Sequence, residues 1–154
     1  MLFGSYCNNN MLRDVTKVKR VETVGLLRNS SIAYLRNEAG AEVLKEIIER
    51  PITFLAMHVC NLGEVYYDFF RADRLTAAQT AWTNTVALPL LLHRDADDAF
   101  VQRVGVIKVE EHISFADAFA LALAERLHVP LITTDHHEFD AVERKGHFRF
   151  MWLR

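Results

Sequence analysis

Three acidic residues of this sequence, Glu64, Asp117 and Asp135, stand where side chains of an α/β protein could meet around one cation. A fourth acid, Asp140, follows closely. Carboxylates that share a site repel each other and lower stability unless a cation lies among them. Oxygen ligands of this kind suit Mg²⁺ or Mn²⁺. Such a site would position a phosphodiester, activate a water molecule and stabilise the charge that develops during hydrolysis.

The segment 113–140 positions two of these acids. Its pattern predicts a helix that is apolar nearly all round, and therefore buried on more than one side, followed by a short strand over 130–133. Asp117 falls in the first turn of the helix, and Asp135 comes just after the strand. Ligands of α/β proteins bind at the carboxyl ends of the strands, so we expect both acids at that edge of the sheet.

The other elements bring a third acid and an amide to the same edge. Glu64 comes in the first turn of the helix after the second strand, and Asn29 follows the first strand. The predicted strands cover 21–27, 52–57, 89–92, 130–133 and 148–153. The predicted helices cover 32–35, 41–49, 62–72, 76–87, 95–110 and the segment that begins at Ser114. Because strands alternate with helices, we expect a single α/β domain over 21–154, with a mostly parallel sheet of four to five strands covered on both faces.

Each acid also has a purely structural explanation. Asn61-x-x-Glu64 and Ser114-x-x-Asp117 resemble capping boxes, in which an acid three residues into a helix satisfies its free N–H groups. Asp135 alone could be the N-cap of the helix that follows it. Any one of these acids is more often a cap than a ligand, so the prediction of a metal site depends on their coincidence at one edge.

Composition indicates one globular domain. The chain has 154 residues, 51% of them hydrophobic and 25% charged, which is enough for one core. A net charge of −2 does not indicate a sequence-independent nucleic-acid binder, although metal ions could neutralise the acids of a nuclease. We expect residues 1–20 to be a poorly ordered extension, and their charged residues interrupt any signal-peptide core.

Cysteines and hydropathy indicate the compartment. Cys7 and Cys60 lack the spacing of metal ligands, and the apolar context of Cys60 predicts a buried thiol. No apolar run approaches the roughly 18 residues of a membrane span. We therefore expect a protein of the reducing cytoplasm that does not enter a membrane.

Four stretches of the sequence together resemble a known family. They are Glu64-Val65-Tyr66-Tyr67, Ile113-Ser114-Phe115-Ala116-Asp117-Ala118-Phe119-Ala120, Thr133-Thr134-Asp135-His136-His137-Glu138-Phe139-Asp140 and Phe150-Met151-Trp152-Leu153. The chain resembles the PIN domain over about residues 29–154, and it is most similar to the VapC-type toxins of bacterial and archaeal toxin–antitoxin pairs. The two stretches around Asp117 and Asp135 are the most specific part of the resemblance.

The resemblance implies a fold and an activity. PIN domains are three-layer α/β/α sandwiches, and the VapC-type members are metal-dependent ribonucleases, usually dimeric and held inactive by a cognate antitoxin protein. By position, Glu64, Asp117 and Asp135 match the acids that hold Mg²⁺ or Mn²⁺ and serve catalysis. Asp140 matches an acid that only some members have. The implied function is a toxin endoribonuclease acting on RNA, with an antitoxin and a second copy of the chain as partners.

The sequence departs from the family at its first strand, where the family has an Asp and this chain has Asn29. Asparagine offers a metal one neutral oxygen but removes a unit of negative charge, which weakens the attraction for a divalent cation. The sequence thus leaves a ribonuclease of impaired activity and, as the alternative, a catalytically inactive PIN-fold protein that binds antitoxin or RNA. A receiver-like phosphotransfer domain is a third and weaker alternative. Arg28 is a candidate for contact with RNA phosphates.

Overall fold

A computed structural model describes residues 22–154, in which strands and helices alternate. The strands are β1 (Glu22–Leu26), β2 (Thr53–His58), β3 (Leu90–His93), β4 (Leu131–Thr133) and β5 (Phe150–Trp152). The helices are α1 (Arg28–Leu35), α2 (Ala41–Ile48), α3 (Val59–Val86), α4 (Asp98–Glu111), α5 (Phe115–Leu127) and α6 (His136–Lys145). The extension predicted over residues 1–20 lies outside the described residues.

All five strands are parallel and form one sheet in the order β3-β2-β1-β4-β5. This sheet confirms the predicted α/β fold. The central strand β1 pairs with β2 on one side and with β4 on the other, so the direction of winding reverses there. The crevice at such a reversal, outside the carboxyl ends of the strands, is where ligands bind in open α/β sheets. The chain leaves β1, β2 and β4 at this edge to enter α1, α3 and α6.

Apolar side chains cover both faces of the sheet, as a three-layer sandwich requires. One buried cluster includes Leu121 of α5 and Phe139 of α6 and packs on one face. A second cluster includes Leu44 of α2 and Leu62 of α3 and packs on the other. The residues from 117 to 124 of α5 are all buried, which confirms that this helix is enclosed on more than one side.

The start of α3 differs from its prediction. The helix begins at Val59, and His58 is its N-cap because the imidazole Nδ1 accepts a hydrogen bond from the backbone N–H of Cys60 at 3.2 Å. The cap predicted at Asn61 is therefore wrong, because Asn61 already lies inside the helix and is fully buried. The prediction of a buried Cys60 is also wrong, since its side chain is exposed.

The start of α1 differs in a similar way. The helix begins at Arg28, directly after β1, and its N-cap Leu27 makes no side-chain capping bond. Asn29, Ser30 and Ser31, residue types that often cap helices, therefore lie inside the helix and not at its cap. Ser30 and Ser31 are buried instead, and their hydroxyls donate hydrogen bonds to the backbone carbonyls of Ile132 and Leu27. The earlier start places Arg28 and Asn29 in the first turn of α1, next to the carboxyl end of β1.

The long helix α3 consists of two segments joined by a kink. Arg74 at the junction has φ 72° and ψ −165°, a backbone conformation that no helix contains. The two helices predicted over 62–72 and 76–87 are these two segments. Neither α3 nor any other helix among residues 22–154 is long and apolar enough to cross a membrane.

We predict opposite effects of alanine at two glycines. Gly40 precedes α2 with a φ of 97°, and a Cβ there would lie 2.9 Å from the Cβ of Leu153, so Gly40→Ala lowers the free energy of unfolding by about 1–3 kcal/mol. Gly105 lies inside α4 with open space around it, so Gly105→Ala raises that free energy by about 0.5–1 kcal/mol. Urea unfolding followed by circular dichroism measures both. A Gly40→Ala variant as stable as the parent chain would contradict the described backbone at α2.

Candidate functional site

Asp117 is the most deeply buried acid at the carboxyl edge of the sheet, with 4% of its surface exposed. It lies in the first turn of α5, where Ser114 is the N-cap as predicted. The Ser114 hydroxyl accepts from the backbone N–H of Asp117 at 3.1 Å and donates to its Oδ2 at 2.6 Å. Burial raises the pKa of Asp117, the Ser114 hydrogen bond and the charge of Arg28 oppose this, and the charge of Asp135 adds to it.

Glu64 approaches Asp117 from the second turn of α3. Its Oε1 accepts a hydrogen bond from Nη1 of Arg28 at 3.3 Å, in an ion pair whose side chains are about a quarter exposed. Burial raises the pKa of Glu64, Arg28 opposes this effect, and the nearby charges of Asp117 and Asp68 reinforce it. The structure therefore brings Asp117 close enough to Glu64 for its charge to disfavour the ionisation of Glu64.

Asn61 joins the two helices that carry these acids. Its Nδ2 donates to the backbone carbonyl of Ala116, next to Asp117, at 2.8 Å. Three buried side-chain atoms find no hydrogen-bond partner within residues 22–154, namely Asn61 Oδ1, Glu64 Oε2 and Asp117 Oδ1. This role of Asn61 differs from the helix cap that the sequence predicted for it. The signal was its position, one helical turn before Glu64 on the same face of α3.

Asp135 follows β4 and is the N-cap of α6, which is the structural role considered for it. Its Oδ1 accepts from the backbone N–H of Glu138 at 3.1 Å. Its Oδ2 accepts from Nδ2 of Asn29 at 2.7 Å. The capping role thus uses one oxygen of Asp135, and the other faces Asn29. The charge of Asp135 also raises the pKa of Asp117.

Arg28 and Asn29 lie between the acids. The Nε of Arg28 donates to Oδ1 of Asn29 at 3.0 Å, while its Nη1 reaches Glu64. The Asn29 amide is thereby oriented with its NH₂ group toward Asp135. The first turn of α1 therefore supplies one full positive charge and one amide donor to an edge that carries three carboxylates.

Asp140 lies apart from the other predicted site residues. Its Oδ1 is 2.7 Å from Nδ1 of His136, one turn earlier on α6. The His136 ring stacks on Trp152 with centroids 4.0 Å apart, and its Nε2 is 3.0 Å from the backbone oxygen of Arg154. The contact with Arg154 and the hydrogen bond to Asp140 raise the pKa of His136. The carboxylate of Asp140 thus contacts the imidazole that packs on the last strand.

The oxygens at this edge fit a hydrated divalent cation. Among residues 22–154, no three His, Cys, Asp or Glu side chains converge on one ion position. Mg²⁺ commonly binds through one or two carboxylates, however, and keeps several water molecules. Glu64 and Asp117 each offer a buried oxygen that lacks a partner in the described part of the chain, and such an atom costs free energy until it is paired.

A polar groove of about 440 Å³ opens beside Asp135. Its lining includes Asn29, Asp135, His136, His137 and Arg154. The groove therefore places Asp135 beside side chains that can donate hydrogen bonds to a phosphate.

A protein-family model described as PIN domain matches residues 28–145. No curated protein matches the chain by sequence. Two solved toxin structures share the fold. VapBC2 from Rickettsia felis, solved bound to a DNA fragment from its promoter, is 13% identical with a TM-score of 0.64, and the match covers 84% of this chain and 97% of that one. VapC20 from Mycobacterium tuberculosis, described as a Sarcin-Ricin loop cleaving toxin, is 14% identical with a TM-score of 0.64 and coverage of 83% and 98%.

A toxin–antitoxin complex from Klebsiella pneumoniae is also similar. Its identity to this chain is 18% and its TM-score is 0.57, with 75% of this chain and 89% of that chain covered. At identities this low, the likeness to all three structures shows a common fold and nothing finer.

We predict that Asp117→Asn stabilises the metal-free protein. The Asp117 carboxylate is buried with one oxygen unpaired within the described residues, and a neutral amide of the same shape lowers the cost of burial. The expected rise in the free energy of unfolding, at neutral pH with EDTA, is about 1 kcal/mol. Because the pKa of Asp117 is raised, the carboxyl takes up its proton readily as pH falls, and the advantage of the variant shrinks on acidification. Urea titrations at several pH values measure both effects.

Asp97→Asn is the matched control for this prediction. Asp97 caps α4 by accepting from the backbone N–H of Phe100 at 2.8 Å. That hydrogen bond and the ion pair with Arg126 hold the pKa of Asp97 below its usual value. Folding thus favours the charged form of Asp97, so Asp97→Asn does not raise the free energy of unfolding. Equal gains at positions 97 and 117 would contradict the described burial of Asp117.

Proposed function

Because the chain belongs to the PIN domain family, we propose that it is a Mg²⁺- or Mn²⁺-dependent endoribonuclease, the toxin component of a toxin–antitoxin pair. The observation that carries the proposal is the pair of carboxylates Glu64 and Asp117, each of which has one buried oxygen without a partner among residues 22–154, at the carboxyl edge of the sheet. Asp135 supports it from the neighbouring strand end. Buried acids at one edge destabilise a protein, and binding of a cation there removes that cost.

The proposed ligands divide into two groups. Glu64 and Asp117 would hold the metal, with Asp135 as the third carboxylate. Asn29 and Asp140 are weaker candidates, because the amide of Asn29 now donates to Asp135 and the carboxylate of Asp140 contacts His136. When bound, the cation would polarise the phosphodiester and lower the pKa of a water molecule.

The chain's own residues hold the acids in place for this reaction. Ser114 fixes Asp117 through two hydrogen bonds to the same hydroxyl. Asn61 ties α3 to α5 and so sets the separation of Glu64 from Asp117. A carboxylate with a pKa raised by burial is a suitable proton acceptor for the attacking water, and Glu64 has this property.

RNA is the proposed substrate and the groove beside Asp135 its proposed path. Arg154 and His137 line this path, and Arg28 lies next to Asn29, which also lines it. Together they offer donors to the phosphates on either side of the bond to be cut. VapC20 is described as a toxin that cleaves the Sarcin-Ricin loop, which supports the choice of RNA.

The proposed partners are an antitoxin protein and a second copy of this chain. Similar folds occur in VapBC2 from Rickettsia felis and in a toxin–antitoxin complex from Klebsiella pneumoniae. Those neighbours support an antitoxin partner for this chain. The homodimer rests on the family resemblance. We place this proposed pair in the cytoplasm, where its RNA substrate is found.

A second function, binding without cleavage, is favoured by the contacts of Asn29 and Arg28. Both residues engage acids that the reaction requires, Asp135 and Glu64 respectively. In this alternative the chain is an inactive PIN-fold protein that binds antitoxin or RNA.

We predict that the purified chain cleaves single-stranded RNA in the presence of Mn²⁺ and that EDTA abolishes the cleavage. Asp117→Asn lowers the rate at least about 100-fold, because it removes a charged ligand of the proposed ion. A fluorogenic RNA assay measures the rates. Asp97→Asn, on the distant N-cap of α4, keeps the parental rate, and equal activity of the two variants would remove the assignment of Asp117.

We predict a gain of function from Asn29→Asp. The new carboxylate adds a unit of negative charge beside Asp135, which raises the attraction for a divalent cation. If the natural chain is an impaired enzyme, the same RNA assay gives a rate about tenfold higher with the variant, at equal Mn²⁺. Cleavage by the variant alone would establish the binding function for the natural chain. Loss of activity in the variant would show that the amide of Asn29 serves the reaction.

A further inference from the structure

Arg28 contacts the acid site at two points. Its Nη1 is 3.3 Å from Oε1 of Glu64, and its Nε is 3.0 Å from Oδ1 of Asn29. The side chain is 26% exposed, so most of it lies among these neighbours. A planar guanidinium that donates in two directions from one position orders both of its partners.

The charge of Arg28 acts on two carboxylates. It opposes the pKa increase that burial causes at Glu64 and at Asp117. The guanidinium therefore stabilises the ionised forms of these acids, as a bound metal ion would. It supplies one positive charge to three carboxylates, so the edge keeps two net negative charges.

Arg28 also fixes the orientation of the Asn29 amide. Because Oδ1 of Asn29 accepts from Arg28, its Nδ2 points to Oδ2 of Asp135, at 2.7 Å. An amide held in this direction offers a donor to Asp135 and keeps its oxygen away from any ion bound there. One side chain thus engages Glu64 directly and Asp135 through Asn29.

We propose that Arg28 is a built-in cation of the acid site and sets its affinity for divalent metal by competing with the ion. This rests on the proposed function only in taking the acids as metal ligands. An ion held by Glu64 and Asp117 would displace the guanidinium, which lies 3.3 Å from Glu64, because two positive groups so close together repel strongly. Displacement also releases Asn29, whose amide is then free to turn and present its oxygen to the metal.

The competition makes the metal affinity of the natural chain low. It also explains why no three acids converge on one position within residues 22–154. Glu64 is drawn to Arg28 and Asp135 to Asn29, so the carboxylates are held by two different partners. Removal of Arg28 leaves a stronger metal site in a less stable metal-free protein.

The test is Mn²⁺ binding to the full 154-residue chain and to Arg28→Gln, measured by calorimetry and by the electron paramagnetic resonance of free Mn²⁺. Arg28→Gln is expected to bind Mn²⁺ at least about tenfold more tightly than the parent chain. Arg126→Gln is the matched control, because Arg126 pairs with Asp95 and Asp97 away from the site. The Mn²⁺ affinity of Arg126→Gln is expected to equal that of the parent chain. Affinity of Arg28→Gln equal to or below the parental value would overturn the proposal.

Two further variants guard against a failure to fold. Arg28→Lys keeps the charge but loses the second donor that orients Asn29, so its Mn²⁺ affinity lies between those of the parent and Arg28→Gln. An affinity of Arg28→Lys no higher than the parental one overturns the proposal if Arg28→Gln is unfolded. Asp117→Asn combined with Arg28→Gln is expected to lose the tight binding, and its retention would place the ion elsewhere and contradict the proposal.

Thermal unfolding gives an independent readout. With EDTA, Arg28→Gln melts at a lower temperature than the parent, because Glu64 and Asp117 lose their counter-charge, and Mn²⁺ reverses the loss. Tighter Mn²⁺ binding by Arg28→Gln without RNA cleavage by any variant upholds this inference and removes the proposed ribonuclease function. Metal-dependent cleavage with unchanged Mn²⁺ affinity removes the inference alone. If Arg28→Gln weakens RNA binding in EDTA and leaves Mn²⁺ affinity unchanged, Arg28 binds phosphate, and the competition is refuted.

Discussion

Repulsion among Glu64, Asp117 and Asp135 is the constraint on which the rest of the site depends. A parallel sheet directs its strand ends and the helices beyond them to one edge, so the fold itself brings these charges together. Because α5 is enclosed, the side chain of Asp117 cannot turn outward into solvent. Glu64 is paired with a guanidinium, Asp117 with a hydroxyl, and Asp135 with an amide and a backbone N–H. Two of the acids, Glu64 and Asp117, keep an oxygen without any partner in the described chain. The apolar clusters on both faces of the sheet stabilise the fold and offset the free energy lost to repulsion among the acids.

The charge of the edge bears on how many ions it can hold. Without the displaced guanidinium of Arg28, the three carboxylates carry a charge of minus three, which one divalent cation reduces to minus one and a second would exceed. An Asp in place of Asn29 would make that charge minus four, which two divalent cations balance. The neutral amide therefore limits the number of ions as well as the strength with which one is held. This distinguishes the chain physically from a member of the family whose first strand ends in an acid.

Regular elements were predictable from the sequence, but the contacts that define the site were not. The Ser114 cap, the buried helix after it and the strand before Asp135 follow from periodicity and capping rules that act within a few residues. The first turns of α1 and α3 did not follow, because α3 begins at Val59, three residues before the expected start, and α1 begins without a side-chain cap. The positions of Arg28 and Asn61 depend on these shifts, and their partners are 36 and 55 residues away in sequence. Sequence patterns that span a few residues do not predict contacts between residues so far apart in the chain.

The kink at Arg74 has a consequence for how the chain can change over evolution. One residue added within a continuous helix turns everything beyond it by about 100°. Arg74 has a non-helical backbone between the segment that carries Glu64 and the segment that carries Trp82, so a change of length beyond the kink leaves the first segment in register. Insertions, deletions and new surface residues can therefore accumulate in the second half of α3 while the acid edge keeps its geometry.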